Sequence, residues 1–140
     1  MSEYQRPGRI LLVEDEVQSR NLMSSYFKIK GFEVTEADNA EFAVPHVPNA
    51  DLIITDIDQP ASKGGYWLLK YVQENHKSIP VILMSGRGVE QEKARGAASF
   101  YQKPLGKLEL EEMLMSMPEH LTPPQTPPQP LNPPQTPPSA

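Results

Sequence analysis

An α/β fold built on a parallel sheet is predicted by three features of this chain. Five short apolar runs alternate with stretches whose apolar residues recur at helical spacing. The runs at residues 9–13, 52–55 and 81–84 are continuous apolar stretches apart from Arg9 and Thr55 at their ends, the pattern of strands covered on both faces. Acids, a serine and a lysine stand directly after the runs, at the strand ends where open α/β sheets collect their ligands.

Arg9 to Val13 (RILLV) is the first strand, short and closed by acids. Val17 to Lys30 carries Leu22, Met23, Tyr26, Phe27 and Ile29 at helical spacing, and Gly31 supplies the stop. Phe32 to Glu36 is the second strand. Asn39 to Val44 is a weak helix kept short by Pro45 and Pro48, because proline removes a backbone donor and crowds the preceding turn. Leu52 to Thr55 is the third strand. Gly65 to Asn75 is a helix with Tyr66, Leu69, Tyr71 and Val72 as candidate core residues, and Trp67 belongs to the core or the helix surface. Val81 to Met84 is the fourth strand, followed by a short helix between Val89 and Arg95. Ser99 to Gln102 is the fifth strand. Leu105 to Met117 is the last helix, with Leu110, Met113, Leu114 and Met117 spaced i, i+3, i+4, i+7. Met113, Met115 and Met117 together read as helix packing.

The composition shifts near residue 118. Residues 1–118 are mixed and suit one folded domain, whereas residues 119–140 read as a disordered proline-rich tail or linker. From Thr122 to Ala140 there is no charged and no aromatic residue. That stretch repeats with a period of ten (LTPPQTPPQP, then LNPPQTPPSA), and its composition favours an extended polyproline-II conformation. A spacer is the plainer reading of it; a ligand for a proline-recognition domain is the sharper one.

A net charge of −5 gives no bulk attraction for nucleic acid or anionic lipid. The absence of cysteine excludes disulfides and thiolate metal sites. No apolar run has signal-peptide or membrane-spanning character, so a cytoplasmic location is expected. His46, His76 and His120 lack metal-ligand spacing.

The strand-end residues are the chemically informative ones. The first strand runs into Glu14, Asp15 and Glu16, the third into Asp56 and Asp58, the fourth into Ser85 and the fifth into Lys103. Each alone is an ordinary turn or surface residue; Asp15, for one, could simply cap the next helix. Together, on neighbouring strand tips, the carboxylates repel one another, and a divalent cation resolves that repulsion. Oxygen-only ligation with room left for water and phosphate is the magnesium pattern. In that setting Asp56 is the candidate nucleophile toward phosphorus, Ser85 offers a hydroxyl to a phosphate oxygen, and Lys103 neutralises charge.

Four segments, ILLVEDE, DLIITDIDQP, PVILMSG and GAASFYQKP, resemble the response-regulator receiver domain of two-component systems in sequence and in order, over about residues 8 to 117. The resemblance implies a flavodoxin-like sheet of order 2-1-3-4-5. It implies Mg²⁺ held by Asp15 and Asp56, with Glu14 acting through water and the carbonyl of Asp58 completing the set. It makes Asp56 the phosphoacceptor, Lys103 the conserved-type lysine, Ser85 the switch hydroxyl and Phe100 the switch aromatic, and it implies a cis Lys103–Pro104 peptide. The implied donor is a histidine kinase or histidine phosphotransfer protein, and the implied output is a downstream protein target. No direct contact with nucleic acid or membrane is expected, nor any assembly beyond a monomer or weak dimer, nor any catalysis beyond the chain's own phosphoryl transfer and dephosphorylation. Two other readings compete: a receiver-shaped binding module independent of phosphate, and, since ITDIDQP also resembles the opening motif of haloacid-dehalogenase-like phosphatases, a small phosphatase.

The chain departs from the family pattern in two places. Between Ser85 and Gly96 it is about one helical turn short, so a fourth helix that is shortened, mobile or missing is expected. The resemblance implies that Asp58 and Arg87 stand at positions that tune phosphate lifetime, and they are expected to pair across the pocket mouth and slow hydrolysis; Gln59 stands where methionine is common.

Overall fold

The computed structural model describes residues 6–59 and 63–123. Five strands, β1 (Arg9–Val13), β2 (Glu33–Ala37), β3 (Leu52–Asp56), β4 (Val81–Ser85) and β5 (Ser99–Gln102), form one all-parallel sheet in the order β2-β1-β3-β4-β5. The helices are α1 (Val17–Ile29), α2 (Ala40–Ala43, continued as a 3₁₀ turn over Val44–Asn49), α3 (Gly65–Asn75) and α4 (Lys107–Met113).

The aliphatic runs make sense as strands with two buried faces. Successive side chains point to opposite sides, so Leu11, Val13, Ile53 and Leu83 enter one core with α2 and α3 residues. Ile10, Leu12, Ile54, Ile82 and Met84 enter the other with Met23 and Phe27 of α1 and Leu110 and Met113 of α4. Every residue of β3 and β4 is buried. The outer strands are not: β2 and β5 are part-exposed.

Four expectations are corrected. The helix between Val89 and Arg95 is absent; residues 91–96 are turns, and the Ala94 N–H to Glu90 O bond of 3.0 Å marks one helical turn that gives way to i, i+3 bonds at Arg95 and Ala97. The fold does not merely shorten its fourth helix but drops it. Leu22, Ile29 and Met115 face solvent, at 68, 83 and 83% exposure, because each falls outside the stripe its helix turns to the sheet. Leu68, not singled out above, is fully buried, while Tyr66 and Tyr71 pack at the core's edge. The folded body also runs past residue 118: Leu121 is 2% exposed within the α1/α4 core, its carbonyl accepts from Gly8 N–H at 3.1 Å, and Pro123 sits against Gly31. The rest of the proline-rich stretch lies outside the described residues.

Candidate functional site

Strand register brings the pocket together. Val13 pairs with Thr55, Asp56 with Met84 and Ser85 with Gln102, so Glu14, Asp56, Ser85 and Lys103 all stand on the carboxyl rim of the sheet. β1 and β3 are adjacent although far apart in sequence, the strand-order reversal at which such sheets place their ligands.

Carboxylate oxygens of Glu14, Asp15 and Asp56 lie within 4.8 Å of one another. Lys103 Nζ donates to Glu14 Oε1 at 2.6 Å and to Asp56 Oδ2 at 2.9 Å. Glu14 is fully buried and Asp56 is 5% exposed, whereas Asp15 is open to solvent. Burial pushes the Glu14 carboxyl above its ordinary pKa, against the pull of the Lys103 hydrogen bond. Burial alone would lower the Lys103 ammonium, but its hydrogen bonds to Glu14 and Asp56 and their charges outweigh it, and its pKa is raised. One ammonium facing three carboxylates leaves the pocket short of positive charge. Hard oxygen donors on one open side are the donor set a small divalent cation takes, so the residues fit the Mg²⁺ expected from the sequence.

The opposite wall is made by loops. Ser85, 1% exposed, donates through Oγ to Asp58 Oδ2 at 3.0 Å and accepts from Arg87 N–H at 3.0 Å. Asp58 N–H donates to Asp56 Oδ1 at 3.1 Å. The expected Asp58–Arg87 ion pair is not formed: Asp58 spends its carboxylate on Ser85, and Arg87 meets the same hydroxyl through its backbone. Phe100 of β5, paired with Leu83 of β4, is half-buried against the α3-side core, and the Lys103–Pro104 peptide is cis.

Two contributors were not foreseen. Gln59 Nε2 donates to the Asp56 carbonyl at 2.6 Å and to Thr55 Oγ1 at 3.1 Å, while its Oε1 accepts from Ala40 N–H at 2.9 Å. One amide thus ties the loop after β3 to the start of α2. Arg20 donates to the Glu14 carbonyl at 2.8 Å and pairs with Glu36 at 3.2 Å, holding the β1 end from the α1 side. Gln59 was legible only as a departure from the family; nothing in local spacing marks Arg20.

A parallel sheet of this order, carrying acids at its reversal point, is a flavodoxin-like α/β protein. Within that class the chain belongs to the response regulator receiver domain family, whose model matches residues 10–115. It is 34% identical to the two-component response regulator ORR11 of Oryza sativa subsp. indica over 108 residues, covering 71% of this chain and 73% of that protein. Against the phosphate regulon transcriptional regulatory protein PhoB of Escherichia coli (strain K12) identity is 30% over 122 residues, 82% of this chain and 53% of PhoB, so the chain spans about half the length of that relative. Among solved structures it resembles the response regulator TrrA of Thermotoga maritima in complex with Mg(2+)-BeF, with TM-score 0.70, 26% identity and coverage of 77 and 96%. It also resembles a response regulator receiver protein from Pseudomonas putida, with TM-score 0.69, 25% identity and coverage of 79 and 97%. No helix among the described residues is long and apolar enough to cross a membrane.

Proposed function

We propose that this receiver domain accepts a phosphoryl group on Asp56 from the phosphohistidine of a kinase or phosphotransfer protein and signals by altered binding to a protein partner. The observation that carries this reading is the placement of Lys103 Nζ between the Glu14 and Asp56 carboxylates, with Asp15 within reach of the same point. Asp56 attacks phosphorus; the O–P bond forms as the N–P bond breaks, and the histidine nitrogen keeps the electron pair. Asp15 and Asp56 would hold Mg²⁺, with Glu14 acting through water and the Asp58 carbonyl completing the set. Bound there, the ion neutralises charge on the transferred group. Lys103 screens the Asp56 carboxylate as the donor's negative charge arrives. Water later cleaves the acyl phosphate, and Asp58 and Arg87, converging on Ser85, set how fast.

Ser85 is the switch hydroxyl. A phosphoryl oxygen on Asp56 competes with Asp58 for its O–H, and release from Asp58 moves the chain at Arg87. Phe100 follows by packing alone, since phenylalanine has no hydroxyl to hydrogen-bond.

Incubation with a small-molecule acyl-phosphate donor and Mg²⁺ is expected to add one phosphoryl group by mass, and Asp56→Ala to abolish the addition. Labelling that survives in Asp56→Ala overturns the assignment, and sustained turnover of phosphate monoesters points to a phosphatase instead. The absent helix between β4 and β5 favours one second reading, a binding module indifferent to phosphate. Partner capture unchanged by beryllofluoride supports that module.

A further inference from the structure

The loss of the β4–β5 helix leaves a groove of about 580 Å³ between α3 and residues 92–96. One wall presents Tyr66 and Trp67; Trp67 stacks on Tyr71 with ring centroids 5.5 Å apart and an interplanar angle of 16°. Lys63 Nζ lies 4.8 Å from the Trp67 ring and Lys93 Nζ 5.8 Å from that of Tyr66. The two walls are already fastened together: Glu90 N–H donates to Tyr66 Oη at 2.7 Å, and Gln73 Nε2 donates to the Arg95 carbonyl at 2.7 Å. A groove fixed before binding spares the ligand the cost of ordering it.

We propose that the second PPQTPP block of this chain, residues 133–138, docks in this groove of its own molecule. A polyproline-II segment offers flat pyrrolidine faces and backbone carbonyls and asks for few acceptors in return; aromatic-lined grooves with donors at the rim are what recognise it. Residues 122–140 carry two such blocks and no charged side chain. The first, at residues 123–128, begins at Pro123, which is packed against Gly31. The second starts ten residues on, about 31 Å of polyproline-II chain. Gly31 precedes β2 and Gly96 precedes β5, so in a parallel sheet both lie at its amino edge. Four strand spacings separate them, about 19 Å. Ten residues of polyproline-II chain are therefore long enough to span that distance with length to spare. Its high effective concentration makes even a weak contact sufficient.

Trp67 is the only tryptophan, so its emission reports on the groove. In the full chain we expect Trp67 to be shielded from acrylamide. In a full-length variant with Pro133, Pro134, Pro137 and Pro138 replaced by serine, quenching is expected to rise and emission to shift red at unchanged thermal midpoint. A synthetic peptide of residues 129–140 should restore the shielding. Equal quenching in the two chains overturns the proposal. Shielding that vanishes on dilution assigns the contact to a second copy's tail and overturns it equally.

Discussion

The chain crosses from β3 to β4 and from β4 to β5 in two different ways. The first crossover uses α3, which buries Leu68, Leu69 and Val72 against β3 and β4. The second, residues 86–98, has no buried residue; Val89, Ala94 and Ala97 reach only the margin of the core. Both must return the chain to the same edge of a parallel sheet. An isolated helix of this length is marginal in water, and an apolar stripe packed on the sheet is what stabilises it. α3 has that stripe. The segment VEQEKAR does not, and Gly86 and Gly88 raise the entropic cost of starting a helix before it. The same omission frees a wall of α3 and leaves Arg87 on a segment held to α3 by hydrogen bonds, Glu90 N–H to Tyr66 and Gln73 to the Arg95 carbonyl, in place of a buried apolar stripe.

The contrast predicts unequal costs for matched truncations. Leu69→Ala should destabilise the fold by ~2–5 kcal/mol, because the cavity it leaves lies within a packed layer. Ala94→Gly, in the turns, should cost at most ~1 kcal/mol. Urea midpoints of the two variants decide it, and equal losses would mean the second crossover is as much a part of the core as the first.

The legible parts of the molecule were those that a face or a strand end specifies. Strand positions followed from aliphatic runs because both sheet faces are apolar, so no ambiguity of register arose. The pocket acids, Ser85 and Lys103 were readable because each comes within two residues of a strand that the run itself defines. Residues whose role depends on a partner far along the chain were not. Leu22 and Ile29, spaced i, i+7, form one stripe of α1 and Met23 and Phe27, spaced i, i+4, another, and only the direction of the sheet decides which is covered. Gln59 and Arg20 act through backbone groups, which carry no sequence signal. Asp58 seemed set to meet Arg87 by charge, but the nearer Ser85 hydroxyl satisfies it at 3.0 Å without the loss of side-chain freedom an exposed ion pair requires. Leu121 was hidden by the prolines around it.

The glycines of the second crossover sharpen the comparison further. Gly88 has φ of +107° and no atom within 4 Å of an added Cβ, so Gly88→Ala meets backbone strain alone, ~1–2 kcal/mol. Gly86 has equally open surroundings and no left-handed φ. Gly86→Ala should therefore be neutral or stabilise by up to ~1 kcal/mol through the unfolded chain. Thermal midpoints moving in the same direction for both would break the claim that backbone conformation, rather than packing, sets this segment.

The smallest effect separates the entry to β3 from the entry to β5 by pH. Asp51 precedes β3 and accepts from Arg6 at 2.7 and 3.0 Å and from Arg9 N–H at 2.9 Å. Burial alone would raise its pKa, but the Arg6 and Arg9 hydrogen bonds and charges outweigh burial and hold the carboxyl below its ordinary value. A depressed folded pKa contributes stability above the unfolded value that disappears as pH falls through the folded one. The pair is partly open to solvent, with side chains 37 and 15% exposed, so screening limits it to ~0.5–1 kcal/mol. The corresponding pair before β5, Glu90 with Lys93, is exposed on both sides and should contribute next to nothing. Unfolding free energies of the wild type and Asp51→Asn should differ at neutral pH and converge below pH ~4. Lys93→Ala should track the wild type throughout, because the β3 entry is clamped by charge whereas the β5 entry rests on turns that charge does not hold.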